Sequence, residues 1–316
     1  MQISLLFPGQ GSQFVGMGAD LFEARPDLLV DVADKVLGWS LRDICLNGPG
    51  EALLATDKAQ PALYALSYVL WEAVSVRISP ATAAGHSLGE YTALAAAGVF
   101  SFEDGLRLVM ERGRAMEQAA TLEASGMSAL IGADQAQAEA VASHRRQEGG
   151  RVWVANLNAP GQIVVAGATD DMRWVGEHVK EFGIRRAIPL SVAGAFHTPM
   201  MATAQEALGG ALRTVKMQPA SFDVWANVSA APVIDVVVSL EAQMTSPVRF
   251  VETLQGIAKN ESTVFLHIGP GDATAGMAKR AVPGAPVFTL NSLDQIDEVV
   301  ANIELLGTMV PSEETS

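Results

Sequence analysis

The chain is short of three things, and each shortage excludes a class of function. It has a single cysteine, Cys45, so it can close no disulfide within itself and build no multi-cysteine metal cage, which fits a reducing compartment. It is short of basic residues: 21 Lys and Arg against 35 Asp and Glu leave a net charge of −14, a field that repels nucleic-acid phosphates and anionic lipid. It also lacks an uninterrupted apolar run of membrane-spanning length. Residues 1–7, MQISLLF, have no basic start and run into Pro8-Gly9, so they read as a first strand meeting a turn and not as a signal peptide. These absences predict a soluble, cytoplasmic protein that binds neither nucleic acid nor membrane. What is plentiful is core material: 49% hydrophobic and 18% charged residues over 316 positions leave no compositional case for disorder.

Apolar runs of strand length alternate with helical periodicity, the pattern of a mainly parallel sheet covered by helices. ISLLF (3–7) is the first strand, 59–76 has helical spacing, and ATAAGHS (81–87) is a short small-residue strand. LGEYTALAAAG continues it as a helix that stops near Gly98, and Ser101 with Asp104 opens the next helix, 102–120. From about Gly126 the order becomes β-α-β-β-α-β, the split, ferredoxin-like pattern that can be inserted whole into a larger domain. We place this subdomain at 125–192, inserted into an α/β domain formed by 1–124 and 193–316. Late strands are read at 222–229, 263–269 and 286–290, with 310–316 as a frayed tail.

Gly85-His86-Ser87-Leu88-Gly89 fits the nucleophile-elbow pattern, in which a serine tops a tight strand-to-helix turn and both glycines let backbone pass closely. A serine hydroxyl needs a base, and there are five histidines. His86 adjoins the serine, and the turn should aim it elsewhere. His144 and His178 lie in polar helical segments and read as solvated. His197, in the loop GAFHTPMM, and His267, in an apolar strand, remain open, although His267 reads equally well as a satisfied core imidazole. Arg112 stacks with Leu108, Ala115 and Ala119, off the charged stripe Arg107, Glu111, Arg114, Gln118. A guanidinium there keeps its charge and calls for an anion, best a carboxylate, whether of substrate or of protein. The turn Pro8 to Gln13 fails as a dinucleotide fingerprint because Phe14 stands where glycine is required, but it can aim a backbone N–H at a developing oxyanion. No P-loop or metal-ligand cluster is visible, so neither a metal nor a bound cofactor is expected.

Together these residues resemble the malonyl-CoA:acyl-carrier-protein transacylases, stand-alone acyltransferases of fatty-acid or polyketide synthesis. The matching stretches are FPGQGSQ (7–13), GHSLGEYTAL (85–94), ERGRAM (111–116), NLNAPGQIVVAG (156–167), GAFHTPMM (194–201), NVSA (227–230), QMTSPVRF (243–250) and HIGPG (267–271). The resemblance implies an α/β-hydrolase-like large domain with the ferredoxin-like insertion. It implies Ser87 as nucleophile and His197 as base, oriented by the main-chain carbonyl of Gln243. Backbone N–H groups of Gln10 and Leu88 would hold the oxyanion, Arg112 the malonyl carboxylate, and Phe196 would crowd an α-methyl group. Malonyl-CoA is then the donor and a phosphopantetheinylated acyl carrier protein the acceptor, by ping-pong transfer through a malonyl-serine. An editing hydrolase acting on acyl carrier protein with the same Ser/His pair, and a non-catalytic carrier-docking subunit, are the alternatives. A monomer is expected. Carrier proteins of this class are acidic, as is this chain, so docking calls for local basic pairs: Arg145 with Arg146, Arg185 with Arg186, or Lys279 with Arg280.

Overall fold

The computed structural model describes residues 1–259 and 262–309, so the tail read at 310–316 lies outside the described residues. In chain order the strands are β1 (Gln2–Phe7), β2 (Pro80–Gly85), β3 (Ser125–Ile131), β4 (Val152–Ala159), β5 (Gln162–Ala168), β6 (Arg186–Pro189), β7 (Asp223–Trp225), β8 (Thr263–Ile268) and β9 (Val287–Leu290). They form two sheets. One has the order β7-β2-β1-β8-β9 with every pair parallel. Helices cover both of its faces, which is why β1 and β8 read as near-continuous apolar runs: Leu5, Leu6, Phe7, Phe265 and Leu266 are fully buried. The other has the order β4-β5-β3-β6 with every pair antiparallel, the ferredoxin-like arrangement. The chain is thus an α/β protein whose larger, hydrolase-like part carries a smaller antiparallel one.

Two features of this fold position the site. Phe7 pairs with Gly85 at the carboxyl ends of β1 and β2, so the turn after β1 and the turn after β2 open side by side, where ligands of open α/β sheets bind. The smaller sheet is stitched to the larger part through Val248, whose N–H donates to Ala155 O at 2.9 Å and whose carbonyl accepts from Leu157 N at 2.8 Å.

The strand expected at 222–229 is three residues long, Asp223–Trp225. The chain then turns on itself, Ala226 N donating to Ala231 O at 2.9 Å and Ala230 N to Ala226 O at 3.0 Å, which withdraws the rest of the run from the sheet. The helix expected at 102–120 spans Phe102–Leu122, and Ser101 Oγ accepts from Asp104 N at 3.1 Å at its start. Its stripe Arg107, Glu111, Arg114, Gln118 is exposed, while Leu108, Arg112, Ala115 and Ala119 face inward. Among the described residues no helix is long and apolar enough to cross a membrane.

Candidate active site

Ser87 follows β2 with φ of +51°, a left-handed conformation that costs a non-glycine residue of order 1–3 kcal/mol. Its neighbours make the turn possible. A Cβ on Gly85 would lie 1.8 Å from the carbonyl carbon of Gly89, and a Cβ on Gly89 would lie 2.3 Å from Phe7 O. Only glycine permits that approach, which gives both glycines of the elbow a steric reason. The strained turn is clamped from outside: Asn227 Oδ1 accepts the Ser87 N–H at 2.7 Å, and Asn227 Nδ2 donates to Gly85 O at 2.7 Å.

The Ser87 hydroxyl meets two side chains. Ser87 Oγ lies 2.7 Å from His197 Nε2, and His197 Nδ1 lies 2.9 Å from the carbonyl of Gln243. That carbonyl can only accept, so Nδ1 carries the proton, Nε2 is the free lone pair, and the serine O–H donates to it. His197 is 4% exposed, and burial, reinforced by the Arg112 charge, lowers its pKa to about 3. The imidazole is therefore neutral near pH 7, the form a proton acceptor requires. His267 makes no such contact. It is fully buried in β8, bonded to Thr274 Oγ1 at 2.6 Å and Gly269 O at 3.1 Å, and burial holds its pKa near 4. His86 turns away to Asn158 Oδ1 at 2.6 Å, joining the elbow to β4. The surface expectation for His144 and His178 is met only in part, because both rings stack on Trp174, at 5.7 and 4.3 Å.

Arg112 is the second partner of Ser87. It is 1% exposed, and its Nη2 donates to Ser87 Oγ and to Gln243 Oε1, both at 2.9 Å, while Nη1 donates to Gln60 Oε1 at 2.7 Å. Its Nε–H has no protein partner, and no carboxylate lies within ion-pair distance of the guanidinium among the described residues. The nearby acid, Glu90, is held off by the Gln243 amide, whose Nε2 donates to Glu90 Oε2 at 2.7 Å and to Ser87 O at 3.0 Å. Glu90 also accepts from Asn227 N at 3.0 Å and Ser239 Oγ at 3.2 Å, and burial raises its pKa. The sequence alone assigns no role to Glu90, Asn227 or Gln60, although the stretches GHSLGEYTAL and NVSA contain the first two. One signal could have found Glu90: it is the one charged residue in the helix Gly89–Ala96.

These side chains open into a cavity of about 420 Å³ between the two sheets, within the usual range of small-molecule sites. Gln10 and Leu88 line it, and neither backbone N–H is used in a hydrogen bond among the described residues. Phe196, 5% exposed, lines it beside His197. The smaller sheet supplies the opposite wall, including Met127, Asn158 and Val164. No group of His, Cys, Asp and Glu able to hold a metal occurs among the described residues. Of the basic pairs, Arg145 faces Asp171 at 2.7 Å and Arg146 donates to Val152 O at 2.6 Å, whereas Arg185, Arg186, Lys279 and Arg280 are exposed.

Comparison with known proteins places the chain in a family. Residues 5–313 match the acyl transferase domain family. The malonyl CoA-acyl carrier protein transacylase of Bacillus subtilis is 40% identical over 285 residues, 88% of this chain and 90% of that protein. The polyketide biosynthesis malonyl CoA-acyl carrier protein transacylase PksC of the same organism is 36% identical, covering 88% and 96%. Among solved structures, a malonyl-transacylase in complex with a type II PKS acyl-carrier protein superposes with a TM-score of 0.90 at 34% identity, over 96% of this chain and all of that one.

Proposed function

This chain belongs to the acyl transferase domain family, among the malonyl CoA-acyl carrier protein transacylases, and we propose that it moves a malonyl group from malonyl-CoA to the phosphopantetheine thiol of an acyl carrier protein. The observation that carries this reading is Arg112, a cation 1% exposed, unpaired with any carboxylate among the described residues, 2.9 Å from the serine hydroxyl. A buried guanidinium left unpaired is costly, and the free carboxylate of a malonyl group answers it with the right shape and charge.

In this reading Ser87 Oγ attacks the thioester carbonyl as its proton passes to His197 Nε2. The backbone N–H groups of Gln10 and Leu88 receive the oxyanion, the C–S bond breaks, and the CoA thiolate takes the proton from His197. The carrier thiol then attacks the malonyl-serine ester by the reverse path and Ser87 regains its proton. The Gln243 carbonyl keeps His197 in the required tautomer. Phe196 narrows the space at the α-carbon of the acyl group. The smaller subdomain, 125–192, forms the far wall, and the carrier docks on Arg185 with Arg186 or on Lys279 with Arg280, in a cytoplasmic monomer serving fatty-acid or polyketide synthesis in trans. An editing hydrolase would have no use for a fixed carboxylate clamp, and no feature of the site favours one.

Intact-mass measurement after mixing with malonyl-CoA, methylmalonyl-CoA or acetyl-CoA tests the proposal. A malonyl adduct that Ser87→Ala abolishes, with little or no acetyl adduct, is the expected result. Absence of any adduct on the native chain would refute it.

A further inference from the structure

The serine hydroxyl is not merely near Arg112; it is one of the three hydrogen-bond acceptors that the guanidinium has among the described residues. The five N–H groups of an arginine need acceptors when buried, and here three are placed, on Gln60 Oε1, Gln243 Oε1 and Ser87 Oγ. The Nε–H is already without a partner. Acylation changes the chemistry of that third acceptor. Once Ser87 Oγ becomes an ester oxygen, its lone pairs are drawn into the acyl carbonyl and it accepts hydrogen bonds poorly. Forming an acyl-enzyme therefore takes an acceptor away from a buried cation.

Resting on the transacylase reading, we infer that Ser87 Oγ stands in for the substrate carboxylate on Arg112, and that exchanging one for the other couples recognition of the acid to stability of the acyl-enzyme. A malonyl chain brings its own carboxylate and replaces the lost acceptor with a better, charged one. An acetyl chain brings none, so its ester leaves a further donor of the buried guanidinium without an acceptor. The step itself balances in both cases: the Oγ–C bond forms, the C–S bond breaks, and the serine proton leaves with CoA. What differs is how far the equilibrium runs. Selection then acts on the covalent intermediate as well as on donor binding, and a neutral acyl group is rejected even when its thioester occupies the site. The carboxylate would also offset the Arg112 charge that helps hold His197 low, which strengthens the base at the moment it is needed.

The idea can be tested on the unmodified protein by supplying the malonyl group in two pieces. Acetyl-CoA and CoA are held at a fixed ratio, sodium formate is titrated in, and the fraction of acetylated Ser87 at equilibrium is read by intact mass. Sodium chloride at equal ionic strength and formamide, the neutral analogue of formate, are the controls. Formate should raise the ratio of acetylated to free enzyme saturably, on the order of tenfold, and neither control should do so. Arg112→Ala, where it folds, should be acetylated more fully without formate and be indifferent to it. A flat or falling formate response, in protein that malonyl-CoA still acylates normally, overturns this inference while leaving the transacylase reading in place. Failure of malonyl-CoA itself to acylate Ser87 would remove both.

Discussion

The two parts of the molecule handle buried charge in opposite ways. In the smaller part the carboxylate of Asp171, 7% exposed, faces Arg145 at 2.7 Å and takes the N–H of Arg151 at 2.8 Å, so the charge is paired on the spot. In the larger part Glu90 and Arg112, both almost or wholly out of solvent, are neighbours, yet the Gln243 amide is interposed and keeps them from pairing. These are the buried Asp, Glu, Lys and Arg residues among the described ones. The smaller part shows that this sequence pairs a buried charge where only stability is at issue. Keeping two opposite charges one amide apart leaves the cation free for the carboxylate that the proposed function assigns to it.

The largest effect that would break this contrast comes from Glu90. Glu90→Ala removes the acceptor of Asn227 N, Ser239 Oγ and Gln243 Nε2 and frees the amide that positions Arg112 and the serine turn. We expect a loss of roughly 3 kcal/mol in urea unfolding and a fall of about a hundredfold in the rate of Ser87 malonylation from misplacement of the reacting groups. Asp171→Ala should also destabilise, by about 2 kcal/mol, but with the malonyl-to-acetyl preference unchanged in single-turnover acylation. If both substitutions altered selectivity equally, the division between the two parts would be wrong. The smallest effect is an absence. With the His197 pKa lowered to about 3, the proposed base is already unprotonated above that value, so no acid limb should appear between pH 5 and 8 in kcat/KM for malonyl-CoA, which reports the free enzyme. A limb near 6.5 would place the titrating imidazole in solvent.

How much of this was legible in the sequence follows from how local each feature is. The elbow at Ser87 was legible because its glycines are demanded by backbone contacts within a few residues and with the adjoining strand β1. Arg112 stood out because helical phase alone puts it inward. The β-α-β-β-α-β order gave the smaller sheet through turn and periodicity signals. The choice between His197 and His267 was not local: it depends on which loop the fold brings to the serine, across 110 positions in the chain. Glu90, Asn227 and Gln60 were missed for the same reason, since Asn227 is 137 residues from Glu90 and 140 from Ser87. The overlong strand at 222–229 came from trusting apolar character through a stretch where the backbone bonds to itself.

The run 243–250 ties these matters together mechanically. At one end the Gln243 carbonyl aims the His197 imidazole, and five residues further along Val248 is laced to Ala155 and Leu157 of the smaller sheet. Swinging that sheet outward to admit a bulkier chain would tug on the same short tether that keeps the ring pointed at the hydroxyl. On the proposed mechanism width and proton transfer would be geared to one another, so an oversized guest would misalign the machinery in the act of entering.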